Sequence, residues 1–369
     1  MHAILRPCAT AGVVIAGTGL IAATPVVPAQ APAVPTVVDV ALTGLPGFLD
    51  TWQDVINTTN ANISTLKDNY MLAPGVAWQQ LYANAMGYLN QFLNDPSSST
   101  LADINTQIQE HLVAVRDGYT LPLDVDSDTM TVVTRHTIDG STLAGHGFLL
   151  AQVPGYLPAG TDMDMVNSII NFMVSPLSGI IMGMLGPGIS PWVALLNSIT
   201  DGDSFSEIVA NTVGGFFNGA TLNLDFLLPS VNDAGFLPAG MSLDHLEFAF
   251  GGLLSTGSVG LTTYQALGPG GVVDASVPVV GGSIFNSLGL QMVGVPGLGQ
   301  ILAHGNAIGP IAAFEMWGQI IGALLGSDWN GVGTIVVTQP ALGVDLPQIP
   351  DDFANVFSGF QDFFDGIFS

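Results

Sequence analysis

The sequence predicts a mixed α+β fold: N-terminal amphipathic helices followed by a Gly-rich apolar body of short helices and strands. A transmembrane β-barrel is the alternative. Three observations carry this prediction. Apolar residues recur at helical spacing up to about residue 118 and at a spacing of two in several later stretches. Glycine, with 46 of 369 residues, is too dense in the second half for uniform helix. Apolar residues make up 48% and mean hydropathy is positive at +0.52, which excludes disorder as the main state.

Residues 1–31 read as a signal peptide. His2 and Arg6 give a weakly positive start, Ala9 to Ala23 is apolar, and small residues follow at Val27-Pro-Ala29 and Ala29-Gln-Ala31. Pro32 disfavours the second site, so cleavage after Ala29 is expected rather than after Ala31. The one cysteine, Cys8, lies inside this segment, so the exported chain would carry no disulfide, thiolate or cysteine metal site.

Residues 32–118 form the predicted helical N-terminal region. Leu45, Phe48, Leu49, Trp52, Val55 and Ile56 share one helical face; Trp78, Leu81, Tyr82, Leu89, Phe92 and Leu93 share a second. Leu101, Ile104, Ile108, Leu112 and Val115 share a third, with Thr100 and Asp103 placed to cap it. Residues 119–160 predict a short β region: Leu121, Leu123 and Val125 alternate with polar residues, and Thr129 to Ile138 is rich in β-branched side chains.

Residues 161–345 form the apolar Gly-rich body. Met165 to Thr200 carries no formal charge and predicts short helices broken at Pro176, Pro187 and Pro191. Ser204 with Glu207 opens another helix, ending at Gly214-Gly215 or Asn218-Gly219. Strands follow at Thr221–Leu228 and around Leu246, Phe248 and Phe250. Asp274 is the one formal charge between Glu247 and Glu315. Pro310 suits the first turn of a helix running to about Leu325. Residues 346–369 predict a Phe-rich amphipathic C-terminal helix, to dock on the body or to enter a lipid interface or a partner's groove.

Charge narrows the partners. Four basic residues against 29 acidic ones give a net charge of −25, and residues 136–369 contain no lysine or arginine. Nucleic acid and nucleotide are therefore excluded, since phosphate needs clustered cations. Anionic lipid is electrostatically disfavoured, and weak cation association is the charge-driven contact left open. Envelope lipid or other copies of the chain are the expected partners.

The candidate chemical motifs have plainer structural readings. Asp124, Asp126 and Asp128 alternate as in a calcium loop. However, Thr129 stands where the turn wants glycine and Arg135 where a bidentate glutamate is needed, so a solvated strand edge is expected, with loose Ca²⁺ binding as the alternative. Ser204, in Gly202-Asp-Ser-Phe-Ser206, could be a hydrolase nucleophile, but Ser204 and Glu207 match a capping box. Asp244-His245 with Glu247 reads as a polar strand face rather than a catalytic dyad. None of His111, His136, His146, His245 and His304 is nominated as a base. No catalytic, cofactor-binding or metal residue is assigned, and no cofactor is expected. Gly318, Gly322 and Gly326 recur every fourth residue, as do Ser175, Gly179 and Gly183. That spacing suits close helix packing in a soluble core or in lipid. Glu315, within the first of these segments, would be costly in a membrane unless it faced a partner or water.

Several phrases carry a family resemblance: Gly214-Gly-Phe-Phe-Asn-Gly-Ala-Thr-Leu-Asn-Leu-Asp225, Phe248-Ala-Phe-Gly-Gly-Leu-Leu-Ser-Thr-Gly-Ser-Val-Gly260, Gly281-Gly-Ser-Ile-Phe-Asn-Ser287 and Trp317-Gly-Gln-Ile-Ile-Gly-Ala-Leu-Leu-Gly-Ser-Asp-Trp329. They resemble the GjpA-type outer-membrane porins of mycolic-acid-bearing actinobacteria, most strongly from Asn167 to Trp329. The resemblance implies export to a mycobacterial-type cell envelope or outer membrane and a passive channel for small hydrophilic solutes, without enzymatic activity. It brings no defined ligand residues. Fewer strand-like stretches are legible than the eight of the smallest single-chain barrel. A secreted, extracellular binding or structural protein is the alternative, and a serine-hydrolase-like enzyme using Ser204 is a third reading.

Overall fold

The computed structural model describes residues 48–337 apart from 141–144, 158–159, 236, 258, 260–262, 328, 330 and 336. The predicted signal peptide and Phe-rich terminal helix lie outside them. The described residues form a mixed α+β fold whose sheets do not close into a barrel.

The three amphipathic stretches fold as predicted, into α1 (Phe48–Leu72), α2 (Val76–Asn94) and α3 (Ser98–Thr120). Gly75, with φ 60°, supplies the left-handed residue that turns the chain from α1 into α2. The cap of α3 differs from the expected Thr100 and Asp103. Ser97 is extended, and its hydroxyl accepts the Thr100 amide at 3.2 Å, while Thr100 is already helical.

The predicted β region is helical instead: α4 (Ser127–Thr137) and α5 (Gly145–Tyr156) occupy it. Asp126 caps α4, accepting the amides of Asp128 and Thr129 at 3.0 Å each. The β-branched threonines that suggested strand return their hydroxyls to the helix: Thr131, Thr134 and Thr137 donate to the carbonyls of Ser127, Met130 and Val133. Val133 is fully buried, so tertiary packing decides against strand propensity.

Then come α6 (Met163–Val174), α7 (Pro176–Asp201) and α8 (Phe205–Asn218). Pro176 opens α7 as expected, but Pro187 and Pro191 lie inside it rather than ending it. Each proline removes a donor to the carbonyl four residues back. The helix persists because one side is packed throughout: Gly179, Gly183, Gly186, Ser190 and Ala194 are buried on that side. The Ser190 hydroxyl also donates to the Gly215 carbonyl at 2.7 Å. Gly202, left-handed at φ 78°, ends α7.

A four-stranded antiparallel sheet has the order β1-β2-β5-β6, from β1 (Ala220–Asn223), β2 (Ser242–Phe250), β5 (Leu288–Val295) and β6 (Gly299–Ala303). A separate ribbon pairs β3 (Thr263–Leu267) with β4 (Val273–Pro278). The strand expected to reach Leu228 stops at Asn223, whose side chain accepts the Asp225 amide at 2.7 Å and turns the chain. A 3₁₀ turn and α9 (Leu228–Asp233) follow; α10 (Ile284–Ser287) precedes β5. Pro310 opens α11 (Pro310–Leu324), as predicted. Phe248 and Phe250 pack on the core around Ile308, Met316 and Ile320, each 0% exposed, so α11 is central to the fold.

The two small-residue stripes are used differently. A methyl at Gly179 would lie 2.2 Å from the Gly282 carbonyl oxygen, and one at Gly186 would lie 2.3 Å from that of Gly251. A methyl at Gly322 would meet Val76 at 2.9 Å, whereas Gly318 faces open space. Gly179→Ala is therefore expected to lower unfolding free energy by about 1–3 kcal/mol through overpacking. Gly318→Ala should raise it by about 0.5–1 kcal/mol through helix propensity. Urea titration of both variants checks the contrast.

Candidate functional site

The motif residues resolve first. Ser204 caps α8: its hydroxyl accepts the Glu207 amide, while Glu207 accepts the Ser204 amide at 2.8 Å. This is the predicted capping box, and no described hydrogen bond joins Ser204 to a histidine. Of the acidic trio, Asp126 is a helix cap rather than a strand edge, and Asp124 accepts Asn171 Nδ2 at 3.0 Å. No group of three or more potential metal ligands occurs among the described residues.

His245 does not pair with Asp244. On β2 it lies between two other carboxylates, Nδ1 at 2.9 Å from Asp225 Oδ1 and Nε2 at 3.2 Å from Glu247 Oε2. Burial alone would lower its pKa, but bonds to Glu247 and Asp225 raise it above the ordinary imidazole value. Leu246 donates its amide to Asp225 at 2.8 Å, and Gly305 donates its amide to Glu247 at 3.0 Å. All three side chains are thus tied to the scaffold on the sheet's polar face. A polar cleft of about 260 Å³ adjoins them through Gly305. Its Asn218 is already occupied, accepting from Thr59 and Asn62 and donating to the Val55 carbonyl.

Two histidines are built into the interior. His146, 0% exposed, bonds Asp139 through Nδ1 and the Leu288 carbonyl through Nε2. Asn306 donates to the second Asp139 oxygen at 3.1 Å. Burial opposes ionisation of Asp139, yet the His146 bonds hold its pKa below the ordinary value. His136 donates Nδ1–H to the Val132 carbonyl at 2.8 Å and accepts the Tyr264 hydroxyl at Nε2. Beyond Tyr264 the polar chain continues: Gln319 donates to Asn69 Oδ1 at 2.6 Å, and Asn69 donates to the Pro278 carbonyl at 2.9 Å. Burial lowers the His136 pKa to about 4.

Glu315 differs from all of these. It is the only charged residue of α11, and its shielded Oε2 has no hydrogen-bond partner among the described residues. The residue retains some surface while Oε2 is shielded, and burial raises its pKa well above the ordinary value. Tyr70, Trp78, Phe314, Trp317 and Gly318 line a pocket of about 40 Å³ with it. Burial first, then the Glu315 charge, pushes Tyr70 up to about 12.

The remaining feature is a surface. The outer side of α7 exposes Met184, Leu185, Trp192, Leu196 and Ile199, with Trp192 67% exposed. Met165 and Phe172 of α6 and Phe205 of α8, the last 82% exposed, add further exposed apolar side chains on the adjoining helices. Among the described residues α7 is the one helix both long and apolar enough to cross a membrane.

Comparison with protein-family models, curated proteins and solved structures gives no match. The uncharged run behind α7 and the isolated Glu315 are visible in the sequence. The pairings His136–Tyr264, Asn69–Gln319 and Asp225–His245 are not, because their members lie in separate elements.

Two pH effects follow. His136 has a folded pKa below its unfolded value, so its contribution is complete above about pH 6.5 and is lost as pH falls toward about 4. Wild-type stability should fall through that window by on the order of 1 kcal/mol per pH unit from this group; His136→Gln should lose that share of the slope in urea titrations. Glu315 has the opposite sign. Its folded pKa is raised, so the stability it contributes at low pH is lost as pH rises above the unfolded carboxyl value. Glu315→Gln should match wild type at pH 4 and exceed it at pH 8 in the same assay.

Proposed function

We propose that the protein is an exported, non-enzymatic cell-envelope protein that seats the outer side of α7 in lipid and serves as a passive, cation-preferring channel for small hydrophilic solutes. This is the porin-like role that its sequence resembles. The observation that carries the reading is the row of exposed apolar side chains on α7, unbroken by charge from Met165 to Thr200. Burying such side chains in hydrocarbon yields about 25 cal/mol per Å² of apolar surface. At 1.5 Å per residue α7 also exceeds the roughly 30 Å of a bilayer's hydrocarbon core.

The described strands form an open four-stranded sheet and a separate ribbon, neither closed around a pore, and the proposal therefore places the water-filled passage between several copies. The net charge of −25 would line such a passage with carboxylates and favour cations. The same charge favours zwitterionic over anionic lipid.

Purified protein should float with phosphatidylcholine vesicles after a carbonate wash and give stepwise, cation-selective conductance in planar bilayers. Trp192→Glu/Leu196→Glu, at exposed positions, should keep the fold by circular dichroism and lower vesicle partitioning at least tenfold, given about 2–3 kcal/mol per buried charge. Release by carbonate, with no conductance at any voltage, would instead identify a secreted soluble protein.

A further inference from the structure

We propose that the Glu315 pocket binds a small primary ammonium ion in exchange for the Glu315 proton. The inference does not depend on lipid seating or on channel activity. Three features of the site point to this ligand.

The first is an unanswered acceptor. Glu315 Oε2 is shut off from solvent without a donor among the described residues, in a wall that includes Tyr70, Trp78, Phe314, Trp317 and Gln319. An unpaired buried carboxyl oxygen costs about 1–3 kcal/mol, and a ligand carrying N–H donors removes that cost.

The second is the chemistry of the walls. Aromatic rings attract cations through their negative faces, most strongly when the cation has shed its water. A metal cation of the Ca²⁺ or Mg²⁺ type needs about six oxygen ligands, and this pocket supplies one carboxylate among mainly apolar groups. An ammonium ion needs fewer acceptors and gains from the rings.

The third is size. About 40 Å³ holds roughly three waters, which matches methylammonium and is tight for a quaternary ion. Gly318 keeps this space open, with no atom within 4 Å of where its side chain would begin.

The exchange balances simply. Burial favours the neutral form of Glu315 when the pocket is empty. Binding places R–NH₃⁺ beside the carboxylate, and one proton leaves to solvent. Among the groups facing it, Tyr70 from α1 is the ionisable one whose field couples to Glu315, and it remains a neutral phenol at these pH values. The facing part of α2 contributes Val76, Ala77 and Trp78, and α2 has no charged residue. On α11, Gln319 connects onward to Tyr264 and His136, both neutral near pH 7. Arg135 and Asp128 of α4, Glu110, His111, Arg116 and Asp117 of α3, and Asp201 of α7 lie outside the pocket lining.

The test is calorimetric titration of the full chain with methylammonium chloride from pH 6 to 9, in two buffers of different ionisation heat, with sodium chloride as the matched control. Expected are one proton released per ion bound and an affinity that rises about tenfold per pH unit until the carboxyl ionises. Glu315→Gln should weaken binding at least tenfold. So should Gly318→Leu, which fills the pocket and leaves the carboxyl in place. Circular dichroism reports the fold of each variant, and Gly318→Leu decides the matter should Glu315→Gln fail to fold. Binding without proton release, equal binding by both variants, equal competition by sodium, or no methylammonium binding up to pH 9 would overturn the proposal.

Discussion

The fold depends on backbones lying directly against each other where side chains would normally intervene. Most residues of α7 that face inward are glycine, serine or alanine, and Gly186 and Gly179 rest on the carbonyls of Gly251 and Gly282 with no room for a methyl group. This follows from what the chain lacks. With four basic residues in all against 29 acidic ones, few carboxylates can find a lysine or arginine, and charge pairing contributes little to assembly. Close contact multiplies weak dispersion forces between atoms at van der Waals distance. Neutral hydrogen bonds, such as Ser190 to Gly215, fix the orientation.

Much of this architecture was legible where local signals and burial agreed. The three N-terminal helices, the Ser204–Glu207 box, β2 and the start of α11 at Pro310 all follow from apolar period and capping chemistry. The sequence misleads where burial overrides local preference. Threonines 131, 134 and 137 suggest strand, yet their hydroxyls are satisfied within α4 and Val133 is enclosed by the core. Pro187 and Pro191 suggest helix ends, yet α7 is supported along its length by packing against α8 and α11. The candidate site was legible only as a single anomaly. Glu315 stands alone in an apolar helix, but Tyr70 and Trp78 reach it from α1 and the segment before α2's midpoint, an association that no local pattern encodes.

The molecule's polar and apolar features are segregated. His245, Asp225 and Glu247 occupy the sheet's polar face, where the two carboxylates flank the imidazole and favour its protonated form. The helices α6, α7 and α8 carry many exposed apolar side chains, and others lie on α1 to α3 and in the connections between strands. Glu315 belongs to neither group, since its Oε2 is shielded from solvent without a partner among the described residues. A buried group of this kind is retained at a cost to stability, which is the usual signature of a site with a task.

The polar chain through Asn69, Gln319, Tyr264 and His136 also bears on how the molecule can assemble. Asn69 and Gln319 are separated by 250 positions, and His136 and Tyr264 by 128. Contacts this distant in sequence form only after the entropy of closing a long loop has been lost, so folding is slow relative to helix formation. A chain threaded through a membrane from its N-terminus could form α1 to α3 early, but its central core would wait until α11 had emerged. For the exported role proposed above, such an interior would be a late-closing clasp that commits the chain only when nearly all of it has arrived.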